Sequence, residues 1–310
     1  LIYYQPIDFW HKVIELSEGY WQEYFDIKII TTARDIDKFL PYDKKGYAYL
    51  GAHIEVAQAL GFEMINPEPL LNFLHFHRAY KSPYEQACLR QSNAIAVQGH
   101  KAAKLAFLAG ACEFDIQQSY LKATAQTDND TPYGNIVALN ENAAILHYTA
   151  LSRTPPQVHK AFLIDAGANF HGYAADITRT YSYKKDKFSE LIARMDSLML
   201  KAVNGLKPGV GYVDLHVSTY RDIGHVLLEF DFINVDVDTA IETGIISTFF
   251  PLGLGHHLGL QTHDVGGFML DERGTHMSAP ESHPFLRTSR VVEANQVFTI
   301  EPGLYFIDSL

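Results

Sequence analysis

An α+β architecture preceded by a smaller α/β piece is predicted for this chain by three observations. Short β-branched runs alternate with helical ones over the first 80 residues, a helix-start signal at Ser82-Pro-Tyr-Glu85 opens a helix-rich stretch, and apolar arms flank a turn signal at Asn169-Phe-His-Gly172. The expected domains are residues 1–80, a partial amino-terminal α/β domain, and residues 81–310, a larger α+β domain.

Taken in order, Ile27-Lys-Ile-Ile30 and Ala48-Tyr-Leu50 read as strands because β-branched and aromatic residues dominate them, and Ile54 to Leu60 reads as a helix. This first piece ends around Phe76-His-Arg-Ala-Tyr80. Ser82 can cap a helix, Pro83 suits its first position and Glu85 completes a capping box, so a long helix should run through Ala109. Glu113 to Thr124 reads as another helix, and 134–148 as strands around an Asn140-Glu-Asn142 turn. The arms on either side of Asn169-Phe-His-Gly172 should pair about a centre between Phe170 and His171, which places Asp165 directly opposite Asp176. A helix over 187–205 should break at Lys207-Pro-Gly209, and Val213 to Phe230 should be helical again. The apolar run ending in Glu301 reads as a buried strand stopped by Pro302-Gly303.

Composition narrows the function classes. With 310 residues, 47% of them apolar and 20% charged, the chain can bury one large core plus part of another. A net charge of −11 argues against nucleic-acid or anionic-membrane partners, which need basic surface. Cys88 and Cys112 fall in predicted helices without CxxC spacing, so buried free thiols and a reducing cytoplasm are expected. No apolar run reaches the roughly 18 residues of a membrane span. The chain lacks an initiating Met, starts in an apolar run at Leu1-Ile-Tyr-Tyr4 and ends in another at Leu304-Tyr-Phe-Ile307, so a carboxy-terminally truncated fragment is expected and a signal peptide stays open. HExxH, GxSxG and Walker patterns are missing, and Gly253-Leu-Gly255 with Gly259 has the wrong spacing for GxGxxG.

The chemistry centres on Asp165 and Asp176. Directly opposed residues of an antiparallel pair have Cβ atoms roughly 4.5–5.5 Å apart, and like charges there repel. One or two carboxylate-bridged dications would convert that repulsion into coordination; the alternative is a pair of turn or capping residues. Further candidates are His256, His257 and His263, set among glycines, and Glu301. Mixed Asp, Glu and His ligation suits manganese, zinc, cobalt or iron. A structural zinc site would instead be closed and rich in cysteine. Bridged dications lower the pKa of water towards neutrality and clamp a carbonyl or phosphoryl oxygen, so hydrolysis of an amide or ester is the expected outcome.

Asp165, Asp176, His256 and Glu301, each within its motif, resemble four of the five metal ligands of the pita-bread metallopeptidases, which include methionine aminopeptidase, aminopeptidase P, creatinase and prolidase. The resemblance is closest to the bacterial proline dipeptidases, also known as organophosphorus acid anhydrolases. It spans essentially the whole chain, including Thr131-Pro-Tyr-Gly-Asn-Ile-Val-Ala-Leu-Asn-Glu-Asn142, Ala144-Ile-Leu-His-Tyr148 and Asn295-Gln-Val-Phe-Thr-Ile-Glu-Pro-Gly-Leu-Tyr-Phe306. It implies a curved antiparallel sheet with flanking helices in a catalytic domain, a creatinase-like amino-terminal domain, and two divalent ions, manganese by resemblance, with a metal-bridged hydroxide as nucleophile. The implied activity is hydrolysis of Xaa-Pro dipeptides, with organophosphorus triesters as a side activity. The alternatives are an aminopeptidase P-type Xaa-Pro aminopeptidase and a non-catalytic binding protein that keeps the fold.

The same resemblance assigns Glu301 as proton acceptor and donor, and His147 and His263 as residues that contact substrate or stabilise the tetrahedral intermediate. Tyr133 and Tyr212 match aromatic residues of the substrate pocket, with an ordinary core tyrosine as the alternative. His257 reads as a packing or supporting residue. Trp10 is the weakest candidate, at a place where relatives bring a tryptophan from a partner subunit; a homodimer is implied. Two departures stand out: Leu252 occupies a usual His position, and the fifth ligand, a later glutamate near a substrate-binding arginine, lies beyond Leu310. Weak binding of the second metal and little activity are therefore expected of these 310 residues.

Overall fold

The computed structural model describes residues 1–307 except 14, 17 and 18, and the chain divides into two compact units, Leu1–Leu71 and Asn72–Leu310. In the first unit, strand β1 (Ile2–Tyr4) pairs in parallel with β2 (Lys28–Ile30). A second parallel pair, β3 (Ala48–Tyr49) with a later β4 (Met64–Ile65), is connected through helix α1 (Ile54–Ala59). Parallel strands need such a crossover, which is why strand and helix patterns alternate here. Among the described apolar residues of this unit only Ile30 and Ala57 are fully buried, so its own core is thin.

The unit boundary falls inside α2 (Glu68–Arg78), after which the second unit is built on α3 (Pro83–Leu108) and α4 (Glu113–Thr124). The Ser82 hydroxyl accepts from the Glu85 amide while the Glu85 carboxylate accepts from the Ser82 amide, the reciprocal cap that the spacing predicts. Cys112 is the residue before α4 and not within it, and both cysteines are buried and free. Helices α3 and α4 meet closely because Gly99 carries no side chain: a Cβ there would lie 2.5 Å from the Tyr120 ring.

Against this pair lies an antiparallel sheet in which β6 (Ala161–Ala166) is central, flanked by β5 (Ile136–Leu139) and, beyond the hairpin strands β7 (Asn169–Phe170) and β8 (Tyr173–Ala174), by β9 (Ile177–Ser182). Phe107, Ile116, Tyr120, Val137, Phe162 and Ile164 form the core between the sheet and the two helices. The 134–148 stretch is strand only over β5: a 3-10 turn at Asn140–Ala144 follows and no strand returns.

The hairpin register differs from expectation by two residues. Asp165 pairs with Thr178, and Phe170 with Tyr173, so the turn is His171-Gly172. Both turn residues adopt left-handed backbone, with φ of 51° and 86°, as a tight two-residue hairpin of this hand requires. Asp176 therefore lies diagonal to Asp165. Because side chains alternate with a period of two, a shift by one full period keeps both carboxylates on the same face.

A second helical layer follows: α5 (Lys187–Gly205), α6 (Tyr212–Glu229), α7 (Val237–Glu242) and α8 (Ile245–Phe249). Leu198, Ile223, Leu227, Ile246 and Phe250 form their shared core, and Leu252 packs against it. Residues 254–258 then pair with 297–301 through Glu301 N–H to Leu254 C=O (2.8 Å), Thr299 N–H to His256 C=O (2.9 Å) and Leu258 N–H to Val297 C=O (3.1 Å). The expected buried strand before Glu301 is thus an extended, glycine-punctuated ladder with one isolated bridge, His257 to Phe298.

Candidate metal centre

Three segments converge on one cluster. Asp165 comes from the end of β6, Asp176 from the residue before β9, and His256 with Glu301 from the 254–258 and 297–301 ladder. Gly255 makes that ladder possible: its φ is 157°, and a Cβ would sit 2.2 Å from the Thr299 carbonyl oxygen. Gly167, which faces Asp176 across the hairpin, likewise has no room for a side chain, since a Cβ there would lie 2.9 Å from the Tyr133 ring.

The geometry around His256 is specific. Its Nδ1 donates to the His257 carbonyl at 2.9 Å, which turns Nε2 towards Asp176 Oδ2 at 3.3 Å and Glu301 Oε1 at 3.0 Å. Ligand atoms of Asp176, His256 and Glu301 all lie within 4.8 Å of one another. Thr299 ties the ladder together, since its hydroxyl accepts from the His256 amide at 3.0 Å and donates to Glu301 Oε1 at 2.6 Å. The Glu301 side chain is 37% exposed and turns Oε1 towards His256. Asp165 joins through Tyr133, whose hydroxyl lies 2.7 Å from Asp165 Oδ1 and 2.9 Å from Asp176 Oδ1.

Electrostatics mark the cluster as short of positive charge. Burial, and then the neighbouring Asp176 charge, pushes the Asp165 carboxyl up to about 7. Burial disfavours an imidazolium at His256, yet its hydrogen bonds to Asp176 and Glu301 outweigh that and hold the ring at about 10. Burial and the two aspartates keep the Tyr133 phenol well above its ordinary range, and Tyr305 is pushed up to about 12 by burial and Asp165. An aspartate, Asp165, that holds its proton up to about 7 and an imidazole, His256, that stands in as a cation fit a divalent ion. The oxygen and nitrogen donor set is that of manganese, zinc, cobalt or iron.

The other sequence-predicted residues divide. The His263 ring meets His256 edge-on at 4.4 Å, and burial lowers its pKa, which puts a neutral imidazole beside the cluster. Tyr133 is at the cluster itself. Tyr212 is not a pocket residue here: it is wholly buried, stacks on Phe298 at 5.2 Å and donates to the Thr299 carbonyl at 3.2 Å, so it braces the ladder from behind. His147 is exposed on a turn and not at a strand end, and no contact among the described residues joins it to the cluster. His257 is fully enclosed against Phe298, and burial takes its pKa down to about 3. Trp10 is exposed, with its ring against Phe9. Thr299, Tyr305 and Asp264 escaped the sequence reading. For Thr299 a signal existed, because a Thr two residues before a ligand carboxylate shares its face of an extended chain.

Comparisons with known proteins give the chain's relatives. A family model described as metallopeptidase family M24 matches residues 87–310, and one for the Xaa-Pro dipeptidase N-terminal domain matches residues 1–76. The Xaa-Pro dipeptidase of Colwellia psychrerythraea is 73% identical over 310 residues, covering 100% of this chain and 70% of that protein. That of Pseudoalteromonas translucida is 59% identical over 311 residues, covering 100% and 71%. Among solved structures, aminopeptidase P from E. coli in a low-pH form superimposes with a TM-score of 0.76 over 99% of this chain and 72% of that one at 24% identity, a likeness of fold.

Proposed function

The chain belongs to metallopeptidase family M24 and has its pita-bread fold, and on that premise we propose that it hydrolyses dipeptides whose second residue is proline. The observation that carries this reading is His256 Nε2 held between the carboxylates of Asp176 and Glu301, with Asp165 joined through Tyr133. Two divalent ions, manganese for preference, held by Asp165, Asp176, His256 and Glu301 would supply an electrophile for the scissile carbonyl and acidify a water.

The chain's own groups do the rest. Glu301, beside His256 and with one oxygen on Thr299, would take the proton from the attacking water and deliver it to the departing proline nitrogen. His263 is neutral near pH 7 and can donate its ring N–H to the oxygen that gains charge in the tetrahedral intermediate. Tyr133 stays protonated and is a donor at the same place. His147, exposed on a turn, is assigned to substrate or to the tetrahedral intermediate by resemblance alone. Leu252 leaves one usual histidine contact unfilled and packs into the helical core instead. A tetrahedral phosphoryl centre resembles the amide transition state, so slow organophosphorus triester hydrolysis accompanies the main activity. A homodimer in the cytoplasm is the assembly and place that go with this reading.

The test is substrate length in the metal-loaded full-length protein. Ala-Pro or Leu-Pro should be cleaved with kcat/KM about 100-fold above that for Xaa-Pro-Yaa tripeptides. Chelation should abolish turnover and manganese restore it. Preference for tripeptides would mean an aminopeptidase P-type enzyme, and an absence of metal at saturating manganese would mean a binding protein.

A further inference from the structure

Immediately after His263 stands a carboxylate that the chemistry above does not use. The Asp264 side chain is 0% exposed and sits between two cations: Arg78 reaches Oδ1 at 2.7 Å and Lys81, itself 1% exposed, reaches Oδ2 at 2.8 Å. Lys81 also donates to the Arg78 carbonyl at 2.6 Å, so one ammonium ties the end of α2 to the carboxylate. Oδ1 accepts a further bond from the Val265 amide at 3.0 Å. The loop wraps tightly over this centre, because a Cβ on Gly259 would lie 2.1 Å from Asp264 Oδ2.

The backbone of Asp264 reaches the metal cluster by a second route. Its amide donates to the His257 carbonyl at 2.9 Å, the same oxygen that accepts the His256 Nδ1 proton. One carbonyl therefore fixes both the ring orientation of His256 and the start of the segment that carries His263. Replacing such a buried ionic group by packed apolar residues is often neutral for stability, so its use is sought in the geometry it imposes.

We propose that Asp264, held by Arg78 and Lys81, is a positioning residue that locks the 259–265 loop so that His263 stands edge-on to His256 at the substrate side of the cluster. This rests on the dipeptidase reading. The chain acts through His263, so removing Asp264 should matter only while His263 is present.

The experiment is a double-mutant cycle in the full chain loaded with manganese. Asp264→Asn should lower kcat on Ala-Pro about 10-fold or more, with metal content unchanged and KM moved far less. In the His263→Ala background the same change should add almost nothing. Arg78→Gln, which leaves the Asp264–Lys81 pair intact, should give a smaller loss, about 3-fold, again absorbed by His263→Ala, and it carries the test if Asp264→Asn does not fold. The His263 ring resonances of 15N-histidine-labelled protein, read in the metal-free state because manganese(II) is paramagnetic, should shift in either variant. Losses that multiply with His263→Ala, or an unmoved His263 ring, would overturn the proposal. A wild-type protein inert towards Ala-Pro would count against the dipeptidase reading alone, and the ring resonances would still decide this one.

Discussion

Asp165 and Asp176 are adjacent acids that cannot both be charged comfortably, and His256 is a base that holds its proton because of Asp176 and Glu301. Both facts predict proton-coupled metal binding. The Asp165 carboxyl is raised from an ordinary 3.8 to about 7, so the metal-free native state binds more protons than the unfolded chain between those values. Its contribution therefore makes the metal-free protein less stable as pH rises through about 4 to 7. The His256 imidazole, raised from 6.5 to about 10, stabilises fully below 6.5 and loses that contribution as pH rises through 10. A dication must displace both protons. Calorimetry in buffers of different ionisation enthalpy should show release of about two protons on manganese binding at pH 6, with affinity climbing towards pH 8. Release of none would mean that the ion binds elsewhere. At this scale the residue types were legible, since acids and imidazoles among glycines are recognisable in one dimension. The exposure of Glu301, the enclosure of Tyr212 and the isolation of His147 were not, because burial depends on what packs from distant segments.

Among the elements, the hairpin and the 254–258 to 297–301 ladder decide the site. The hairpin register was misplaced by two positions because Phe170-His171 and His171-Gly172 both carry turn residues, and the backbone chose the pair in which each adopts positive φ. The face survived the slip, since a shift of two restores the pleat. The ladder was legible only as an apolar run; its partner was not, because the pairing joins residues 39 to 47 apart in sequence. Gly255 is where it can be tested. A methyl group there meets the Thr299 carbonyl and the Tyr212 hydroxyl, so Gly255→Ala should cost about 3 kcal/mol in denaturant unfolding and weaken manganese binding at least about 10-fold by parting His256 from Glu301. Wild-type affinity in a folded Gly255→Ala protein would show that the ladder does not set ligand spacing.

For the whole molecule the expected consequence is metal-dependent stability. Ligands from the hairpin and from the distant ladder can be bridged only in the folded chain, so manganese at about 100 times its Kd should add about 2.7 kcal/mol and raise the melting temperature by roughly 5–10 °C. A thermal scan with and without chelator checks this, and coincident curves would contradict it. The chain spans about 70% of the length of the Xaa-Pro dipeptidases it resembles. What the amino-acid order determined by itself was local: the capped α3, the helices α4, α5 and α6, the like-charged pair on one face of a hairpin, and the kinds of donor suited to a divalent ion. Those follow from neighbours a few residues apart, where capping, periodicity and charge act directly. Tertiary structure alone decided which donors meet, which tyrosine reaches the carboxylates and which braces the ladder, and that Asp264 anchors in Arg78 and Lys81, because each is a contact across a long loop that only the packed chain closes.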